Sequence, residues 1–154
     1  MKLQTDTKRP VRTIMTSDPV SIEASADARE LARVLADNKI SGVPVVDTLD
    51  RVIGVVSRTD LLMWCVSGGL GISDEDLLTG LAEGRDAQRE IPADLGIVED
   101  FMSNEAIVAG PDESIAAVAQ RMADNGVHRI IIVSEDNTLV GIVSSLDMIR
   151  ALAH

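Results

Sequence analysis

Two pairs of short apolar runs, rich in β-branched residues, alternate with polar segments along this chain. The later pair, Arg129 to Val133 and Leu139 to Val143, is separated by a polar turn at Glu135 to Asn137. The earlier pair, Val43 to Asp47 and Val52 to Val56, has the same design. Runs of this length, bounded by turn residues, predict buried β-strands joined as hairpins.

An amphipathic segment precedes each strand pair, with apolar positions at the i, i+3, i+4, i+7 spacing of one helical face. The apolar sets are Ala28, Leu31, Ala32 and Leu35 in the first half, and Ile115, Val118, Ala119 and Met122 in the second. Either Ser25 or Asp27 can cap the first of these helices. Another helix is predicted after each hairpin, over Arg58 to Val66 and from Ser144 or Ser145 onward.

These elements belong to an internal duplication. Gly54 to Asp60 reads Gly-Val-Val-Ser-Arg-Thr-Asp, and 87 positions later Gly141 to Asp147 reads Gly-Ile-Val-Ser-Ser-Leu-Asp. The same offset, applied from Val11 to Leu62, aligns the two halves without a gap. A short extended piece at Pro19 to Ile22 precedes the first helix, and the second copy repeats this order from Ile107 onward. The sequence therefore predicts an α/β fold built from two β-α-β-β-α repeats.

A Ser-x-x-Asp sequence marks the start of the last helix in each repeat. It consists of Ser57 and Asp60 in the first copy, and of Ser144 and Asp147 in the second. A carboxylate can accept hydrogen bonds from both hydroxyls of a ribose, and a helix N-terminus suits a phosphate. The same side chains can instead only cap their own helices, so both interpretations are open at this point.

Together these segments resemble the CBS (cystathionine β-synthase) motif. The resemblance rests on Met15 to Ile22, Ile40 to Asp47 and Gly54 to Asp60 in the first copy, and on Val127 to Arg129 and Gly141 to Asp147 in the second. The second copy is similar to the motif in the γ subunits of AMP-activated kinases. A tandem pair of such motifs implies two sheets packed around a pseudo-twofold axis, and it implies a homodimer.

The resemblance also implies ligand sites between the repeats, each combining the Asp of one copy with the loop before the strand of the other. The first site is expected from Ser57, Arg58 and Asp60 with Val127, His128 and Arg129. The second is expected from Ser144 and Asp147 with Ile40, Ser41 and Gly42, and the adenine is expected near Val20 or Ile107. Only the first has a histidine and two arginines, so a phosphorylated nucleotide is expected to prefer it.

Composition and charge narrow the class of protein. The 154 residues are 45% hydrophobic with one Trp and one Phe, so aliphatic side chains must form the core. A net charge of −11 argues against a nucleic-acid partner and against an anionic membrane surface. The polar start shows no signal-peptide pattern, and no apolar run reaches the roughly 18 residues of a membrane helix. A cytoplasmic protein is therefore expected.

Neither a metal site nor a catalytic site is expected. Cys65 is the only cysteine, which excludes an intrachain disulfide and favours a reducing compartment. It has no histidine near it in sequence to activate it as a nucleophile. His128, His154 and Cys65 form no metal-ligand spacing, and no nucleophile with a base stands out. The chain is expected to be no enzyme and to hold no cofactor.

Four segments are expected: an arm at 1–10, repeats at 11–66 and 98–154, and an acidic linker at 67–97. The linker opens with a glycine-rich run that follows a helix and lacks a Gly-Lys-Ser/Thr ending, so a flexible joint is expected. A short helix is predicted after it. The linker carries seven acidic residues against Arg85 and Arg89, and it is either a solvated cover or a docking surface for a basic partner.

The expected function is a regulatory module that senses adenosyl nucleotides of the AMP, ADP and ATP class and signals to an unidentified protein partner. A ligand that touches both repeats favours the arrangement in which both contacts are made. S-adenosylmethionine shares the adenosine core and is an alternative ligand. A constitutive dimerisation and interaction scaffold with vestigial sites is the alternative function.

Overall fold

A computed structural model describes residues 6–67 and 95–153 of the chain. After a 3-10 turn at Val11–Thr13 and strand β1 (Thr16–Ser17), the first repeat consists of β2 (Ile22–Glu23), α1 (Ala28–Asn38), β3 (Gly42–Val46), β4 (Val52–Ser57) and α2 (Arg58–Ser67). After a second 3-10 turn at Val98–Asp100, the other repeat consists of β5 (Val108–Ala109), α3 (Ile115–Asn125), β6 (Arg129–Val133), β7 (Leu139–Ser144) and α4 (Ser145–Ala153). The predicted α/β fold with two β-α-β-β-α repeats is confirmed. The predicted glycine joint and short helix of the linker lie outside the described residues.

The two repeats use the same strand pairings. In the first, β2 runs parallel to β3, and β3 pairs antiparallel with β4. In the second, β5 runs parallel to β6, and β6 pairs antiparallel with β7. Both hairpins turn through a residue in the left-handed region, Asp50 with φ 60° and Asn137 with φ 68°. Asp and Asn tolerate this conformation better than most residues, which suits these turns.

Helices α1 and α3 are limited by local signals at both ends. The side chain of Asp27, rather than that of Ser25, caps α1 by accepting a hydrogen bond from the N–H of Glu30 at 2.8 Å. Ser114 caps α3 in the same way. Each helix ends at a residue in the left-handed conformation, Lys39 and Gly126, which directs the chain back toward the sheet.

The apolar faces of these helices form the cores, with one departure from the expected pattern. Leu31 and Val118 are fully buried at equivalent positions of the two helices. Ala32, which the spacing puts on the same face, is exposed. The cost of that exposure is small, because a methyl group contributes little burial.

Two segments are exchanged between the repeats. One precedes β2 and includes Val11 and β1, and the other precedes β5 and includes Val98 and Ser103. Val11, fully buried, packs in the core of the second repeat with Val118 and Ile130. Val98, also fully buried, packs in the core of the first repeat with Leu31. The predicted boundaries at residues 10, 66 and 97 divide the sequence, whereas these contacts cross them.

Backbone hydrogen bonds fix the exchange on both sides. Strand β1 pairs antiparallel with β7 of the other repeat. Ser103 exchanges two 2.9 Å hydrogen bonds with Val55 of β4. The N–H of Val11 donates to the carbonyl oxygen of Glu113, and the N–H of Val98 donates to that of Ala26, both at 2.8 Å. Each repeat is therefore completed by a segment from the other half of the chain.

A third apolar cluster joins the two sheets. Val46 and Val52 from the first sheet pack with Ile131 and Val133 from the second. The hairpin turns add direct bonds, because the N–H of Val52 donates to the carbonyl oxygen of Asn137 at 2.9 Å. The side-chain amide of Asn137 donates back to the carbonyl oxygen of Val52 at 2.6 Å. The sheets thus form one continuous packing unit around the pseudo-twofold axis.

Candidate functional site

A cleft of about 760 Å³ opens between the two repeats. Its walls are largely apolar, with Val43, Pro44 and Val55 on one side and Ile107, Ile131 and Ile142 on the other. Its polar lining residues are Ser41, Ser57 and Asp60 from the first repeat, and Glu105, His128, Arg129, Ser144 and Ser145 from the second. A concave site with apolar walls and a few converging polar groups is typical of small-molecule binding.

Strand register brings the polar groups to one end of each sheet. Gly42, at the start of β3, is paired with Ser57 at the end of β4. In the second repeat, Arg129 is paired with Ser144 in the same way. The N–H of Ser145 donates to the carbonyl oxygen of His128 at 2.8 Å. The loop that carries His128 is therefore fixed to the helix start of its own repeat while it faces the cleft.

The Ser-x-x-Asp sequences form reciprocal caps with closely matching geometry in both repeats. The N–H and the hydroxyl of Ser57 donate to Asp60 Oδ2 at 2.8 and 2.9 Å, and the N–H of Asp60 donates to Ser57 Oγ at 3.1 Å. Ser144 and Asp147 repeat these bonds at 2.8, 2.9 and 3.2 Å. Capping, one of the two roles that the sequence left open, is thus realised in both copies.

Capping does not use the whole carboxylate. All of these bonds go to Oδ2, and within the described residues Oδ1 of Asp60 and of Asp147 accepts no hydrogen bond. Asp60 lines the cleft and is half-buried. The cap fixes the rotamer of Asp60, so its second oxygen is a pre-oriented acceptor at the cleft wall.

Of the residues that the structure describes, four with ionisable side chains line the cleft: Asp60, Glu105, His128 and Arg129. Arg129 is exposed and takes part in no ion pair with any residue that the structure describes. The guanidinium has five N–H donors in a planar fork that matches carboxylate or phosphate oxygens. An unpaired arginine beside a cleft is available to an anionic ligand.

The cleft brings together members of both predicted sites. Nine of the predicted residues line it: Ser41, Gly42, Ser57, Asp60, Ile107, Val127, His128, Arg129 and Ser144. Four described residues of the predicted set lie outside its lining: Val20, Ile40, Arg58 and Asp147. The sequence separated these residues into two sites, whereas most of them share one cleft.

Sequence reasoning missed Glu105 and Ser145 as polar lining residues. Ser145 occupies the position that Arg58 has in the first repeat, and the sequence assigned it only a possible helix start. Glu105 follows the exchanged segment and precedes β5, where no pattern in the sequence separates it from an ordinary surface carboxylate. Its position in the cleft depends on the packing of one repeat against the other.

Two carboxylates outside the cleft, Glu113 and Asp112, have their own partners. The guanidinium of Arg121 donates to Glu113 Oε1 at 2.6 Å and to Oε2 at 3.1 Å, and the N–H of Gly110 donates to Oε2 at 2.7 Å. The bonds from Arg121 are the main reason why the pKa of Glu113 lies below its ordinary value. Asp112 pairs with Arg12 of the exchanged segment. Both carboxylates serve the fold.

No other reactive centre is visible in the described part of the chain. Burial raises the pKa of the Cys65 thiol, which disfavours the nucleophilic thiolate. Residues 6–67 and 95–153 contain no cluster of three or more His, Cys, Asp or Glu side chains able to hold a metal ion. Among the same residues, no helix is long and apolar enough to cross a membrane.

Relatives in sequence include proteins of quite different length. MJ1426 of Methanocaldococcus jannaschii, an uncharacterized protein, is 29% identical over 150 residues, which is 87% of this chain and 86% of that protein. MJ1225 of the same organism is 27% identical over 93% of this chain. The chain spans only 42% of the length of MJ1225 and 21% of that of the human 5′-AMP-activated protein kinase subunit gamma-3.

Solved structures share the fold. The CBS domain pair of protein MJ0100, in complex with 5′-methylthioadenosine and S-adenosyl-L-methionine, superposes with a TM-score of 0.66 at 22% identity over 94% of this chain and 95% of that one. CBSX2 of Arabidopsis thaliana, in complex with AMP, superposes with a TM-score of 0.71 at 21% identity over 94% of this chain and 96% of that one.

The family model of the CBS domain matches the chain twice, at residues 11–67 and 98–154. The two matches fall on the two β-α-β-β-α repeats whose packing forms the cleft. The chain therefore belongs to the CBS-domain family and carries a tandem pair of CBS domains.

Proposed function

We propose that this protein is a regulatory module that binds one adenosyl nucleotide in the cleft between its two CBS domains and passes the binding event to a protein partner. One observation carries the proposal. A carboxylate from the first repeat, Asp60, lines the same space as a guanidinium from the second, Arg129, which has no ion-pair partner among residues 6–67 and 95–153. A ligand with a diol and a phosphate could engage both repeats at once.

The chemistry of the lining supports a nucleotide. Oδ1 of Asp60 can accept hydrogen bonds from adjacent ribose hydroxyls. Arg129 can hold a phosphate by two N–H groups, and His128 can add a further hydrogen bond. The aliphatic wall formed by residues such as Ile107 and Ile142 suits the flat face of adenine. Each part of the ligand therefore has a matching group.

The solved relatives support the adenosyl class. One CBS domain pair of the same fold is in complex with AMP, and another with 5′-methylthioadenosine and S-adenosyl-L-methionine. These ligands share adenosine and differ in the group attached to the ribose. AMP is the better candidate here because Arg129 offers a partner for its phosphate.

Signalling follows from a ligand that bridges the repeats. A ligand shifts a conformational equilibrium only by the difference in its affinity for the two states. A nucleotide held by Asp60 and Arg129 binds better when these residues are at the correct separation. Binding therefore selects one arrangement of the repeats, which a partner protein can recognise. We place this regulation in the cytoplasm, in keeping with the single cysteine and the charge of −11.

A dimerisation scaffold is the second candidate, and the outward faces of α2 and α4 favour it. Met63 is 62% exposed, Ile149 59% and Leu152 52%. Large apolar side chains at these levels of exposure are suited to a second copy of the chain. We propose a homodimer through these helices, which is compatible with nucleotide sensing. In sedimentation equilibrium, the wild type should be dimeric and Ile149→Glu monomeric, and a monomeric wild type rejects the dimer.

Isothermal titration with AMP tests the nucleotide function, using Asp60→Asn and Asp147→Asn as a matched pair. Both changes keep a side-chain oxygen that can accept the cap bonds, but only Asp60 lines the cleft. Charge-assisted hydrogen bonds contribute about 1.5–3 kcal/mol, so Asp60→Asn should weaken AMP binding by at least about tenfold. Asp147→Asn should change it by no more than about twofold.

The scaffold predicts a different result. A folded protein that binds neither AMP nor S-adenosylmethionine rejects the sensor and leaves the scaffold. Equal losses of AMP affinity in Asp60→Asn and Asp147→Asn would mean that the cleft lined by Asp60 is not the nucleotide site. Melting temperatures of both variants show whether either result arises from loss of the fold.

A further inference from the structure

We propose that the cleft selects nucleotides by phosphate number, taking a nucleoside monophosphate in preference to the diphosphate and triphosphate, and that Glu105 sets this limit. The inference rests on the nucleotide function proposed above and defines its ligand more closely. It follows from a count of the cations, backbone donors and carboxylates that the cleft presents.

Cations are scarce at the cleft. The sequence places Arg58 and Arg129 near the ligand motifs, but among the described lining residues Arg129 alone carries a guanidinium. Arg58 is exposed and lies outside the lining. A single guanidinium can form one bidentate pair with one phosphate group. A second or third phosphate would lack an equivalent partner.

Three backbone donors at each of the two helix starts are already engaged. The N–H groups of Ser57 and Asp60 donate within the first cap, and that of Arg58 donates to the carbonyl oxygen of Ser41 at 2.8 Å. The second helix start repeats this arrangement through Ser144, Ser145 and Asp147. A polyphosphate normally gains much of its binding from free N–H groups at a helix start. These N–H groups cannot provide that binding while the caps are closed.

Negative charge in the lining opposes further phosphates. Asp60 and Glu105 both line the cleft, and neither forms an ion pair with a described residue. Asp60 has a use in ribose binding, so its charge is compensated by hydrogen bonds from the ligand. Glu105 has no such use. It is exposed at the cleft, where its charge repels an extended phosphate chain with a strength that solvent and salt reduce.

The position of Glu105 is set by the exchange between the repeats. Its N–H donates to Ser103 Oγ at 3.3 Å, and Ser103 is paired with Val55 in β4 of the first repeat. Val55 itself lines the cleft. The carboxylate of Glu105 is thus carried to the cleft by a backbone that is anchored on the opposite repeat.

Calorimetric titration with adenosine, AMP, ADP and ATP, in buffer without divalent cations, tests this selection. AMP should bind tightest, and ATP about tenfold more weakly, which corresponds to about 1.4 kcal/mol. Glu105→Gln should reduce the ratio of AMP to ATP affinity by at least about threefold, because it removes one repelling charge. Glu135→Gln makes the same change in net charge at the opposite end of β6, and should leave the ratio unaltered.

The outcomes separate this inference from the function on which it rests. Equal or tighter binding of ATP than of AMP overturns the selection and leaves a nucleotide sensor intact. If Glu105→Gln and Glu135→Gln change the ratio of AMP to ATP affinity equally, the effect is one of overall charge. That result overturns the role of Glu105. Failure of all four ligands to bind, adenosine included, overturns the proposed function and the selection together.

Discussion

The carbonyl oxygen of Ser103 crosses so close to Gly54 that a Cβ atom on Gly54 would lie only 2.3 Å from it. At the equivalent glycine of the second repeat, Gly141, the nearest atoms belong to the flexible side chain of Met15, and the carbonyl oxygen of Thr16 lies 3.0 Å from the position of an added Cβ. Gly54 is therefore required by the close approach of backbone from the other half of the chain, and Gly141 leaves the room that Met15 and Thr16 occupy. They serve the exchange of segments, and the ligand motifs begin just after them.

Gly54→Ala should destabilise the protein by about 1–3 kcal/mol, because the added methyl group forces apart two hydrogen-bonded backbones. The midpoint of urea unfolding should fall accordingly. Gly110→Ala is the control, since a Cβ there meets its nearest atom at 3.9 Å. Equal midpoints for Gly54→Ala and the wild type would contradict the crossing of Ser103 over β4.

Val98→Ala should reduce the stability of the first repeat's core by about 1.5–3 kcal/mol, although Val98 lies in the half of the sequence that contains the second repeat. Its side chain is fully buried in the core of the first repeat, and truncation leaves a cavity there. Chemical denaturation measures the loss. Val20→Ala removes the same atoms from a side chain that is 39% exposed, and it should cost much less. Similar losses of stability in Val98→Ala and Val20→Ala would argue against the exchange of segments between the repeats.

Acid should remove the contribution of the Glu113–Arg121 pair. The pKa of Glu113 is lowered in the folded state, mainly by hydrogen bonds from Arg121. Stability from this group is therefore complete above its unfolded pKa of about 4.3 and is lost as pH falls through the lower folded pKa. Because both side chains are 35% exposed, the contribution should not exceed about 1 kcal/mol.

Denaturation of the wild type and Glu113→Gln across a pH series measures that contribution. Their difference in unfolding free energy should be largest near neutral pH and should shrink in acid. Glu99→Gln is a control with the same change in charge on an exposed residue. A difference that is independent of pH would mean that the ionised carboxylate of Glu113 is not what stabilises the fold.

The paired caps should contribute equally to stability but unequally to binding. Asp60→Ala and Asp147→Ala each remove the acceptor of two hydrogen bonds at a helix start, and each should cost about 1 kcal/mol. Thermal unfolding should show similar shifts, and the Asn variants should recover part of each loss. A much larger shift in only one variant would show that the two caps are not equivalent.

Much of the local structure was predictable from the sequence because its causes lie within a few residues. Helical spacing identifies the buried faces that contain Leu31 and Val118, and β-branched runs identify the hairpins. The Ser-x-x-Asp spacing predicted capping as one of two open roles, since the interacting residues are one helical turn apart. The constant offset of 87 positions then established two copies of one unit.

The cleft was predictable only in part. Residue types, the repeat and the resemblance to the CBS motif predicted a site with Ser57, Asp60, His128 and Arg129, and these four residues line a single space. The exclusion of Arg58 depends on the direction in which α2 leaves the sheet, and the inclusion of Glu105 depends on how the repeats pack. Neither is encoded in spacing along the chain.

By itself, the sequence determined the elements, their order and the duplication, because these follow from local periodicity and capping. Only the tertiary structure decided that Val11 completes the core of the second repeat and Val98 that of the first. A gapless repeat looks the same whether each leading segment packs on its own copy or on the other. Long-range strand pairing and the burial of those two side chains select one of these arrangements. The selected arrangement in turn determines which residues face the cleft.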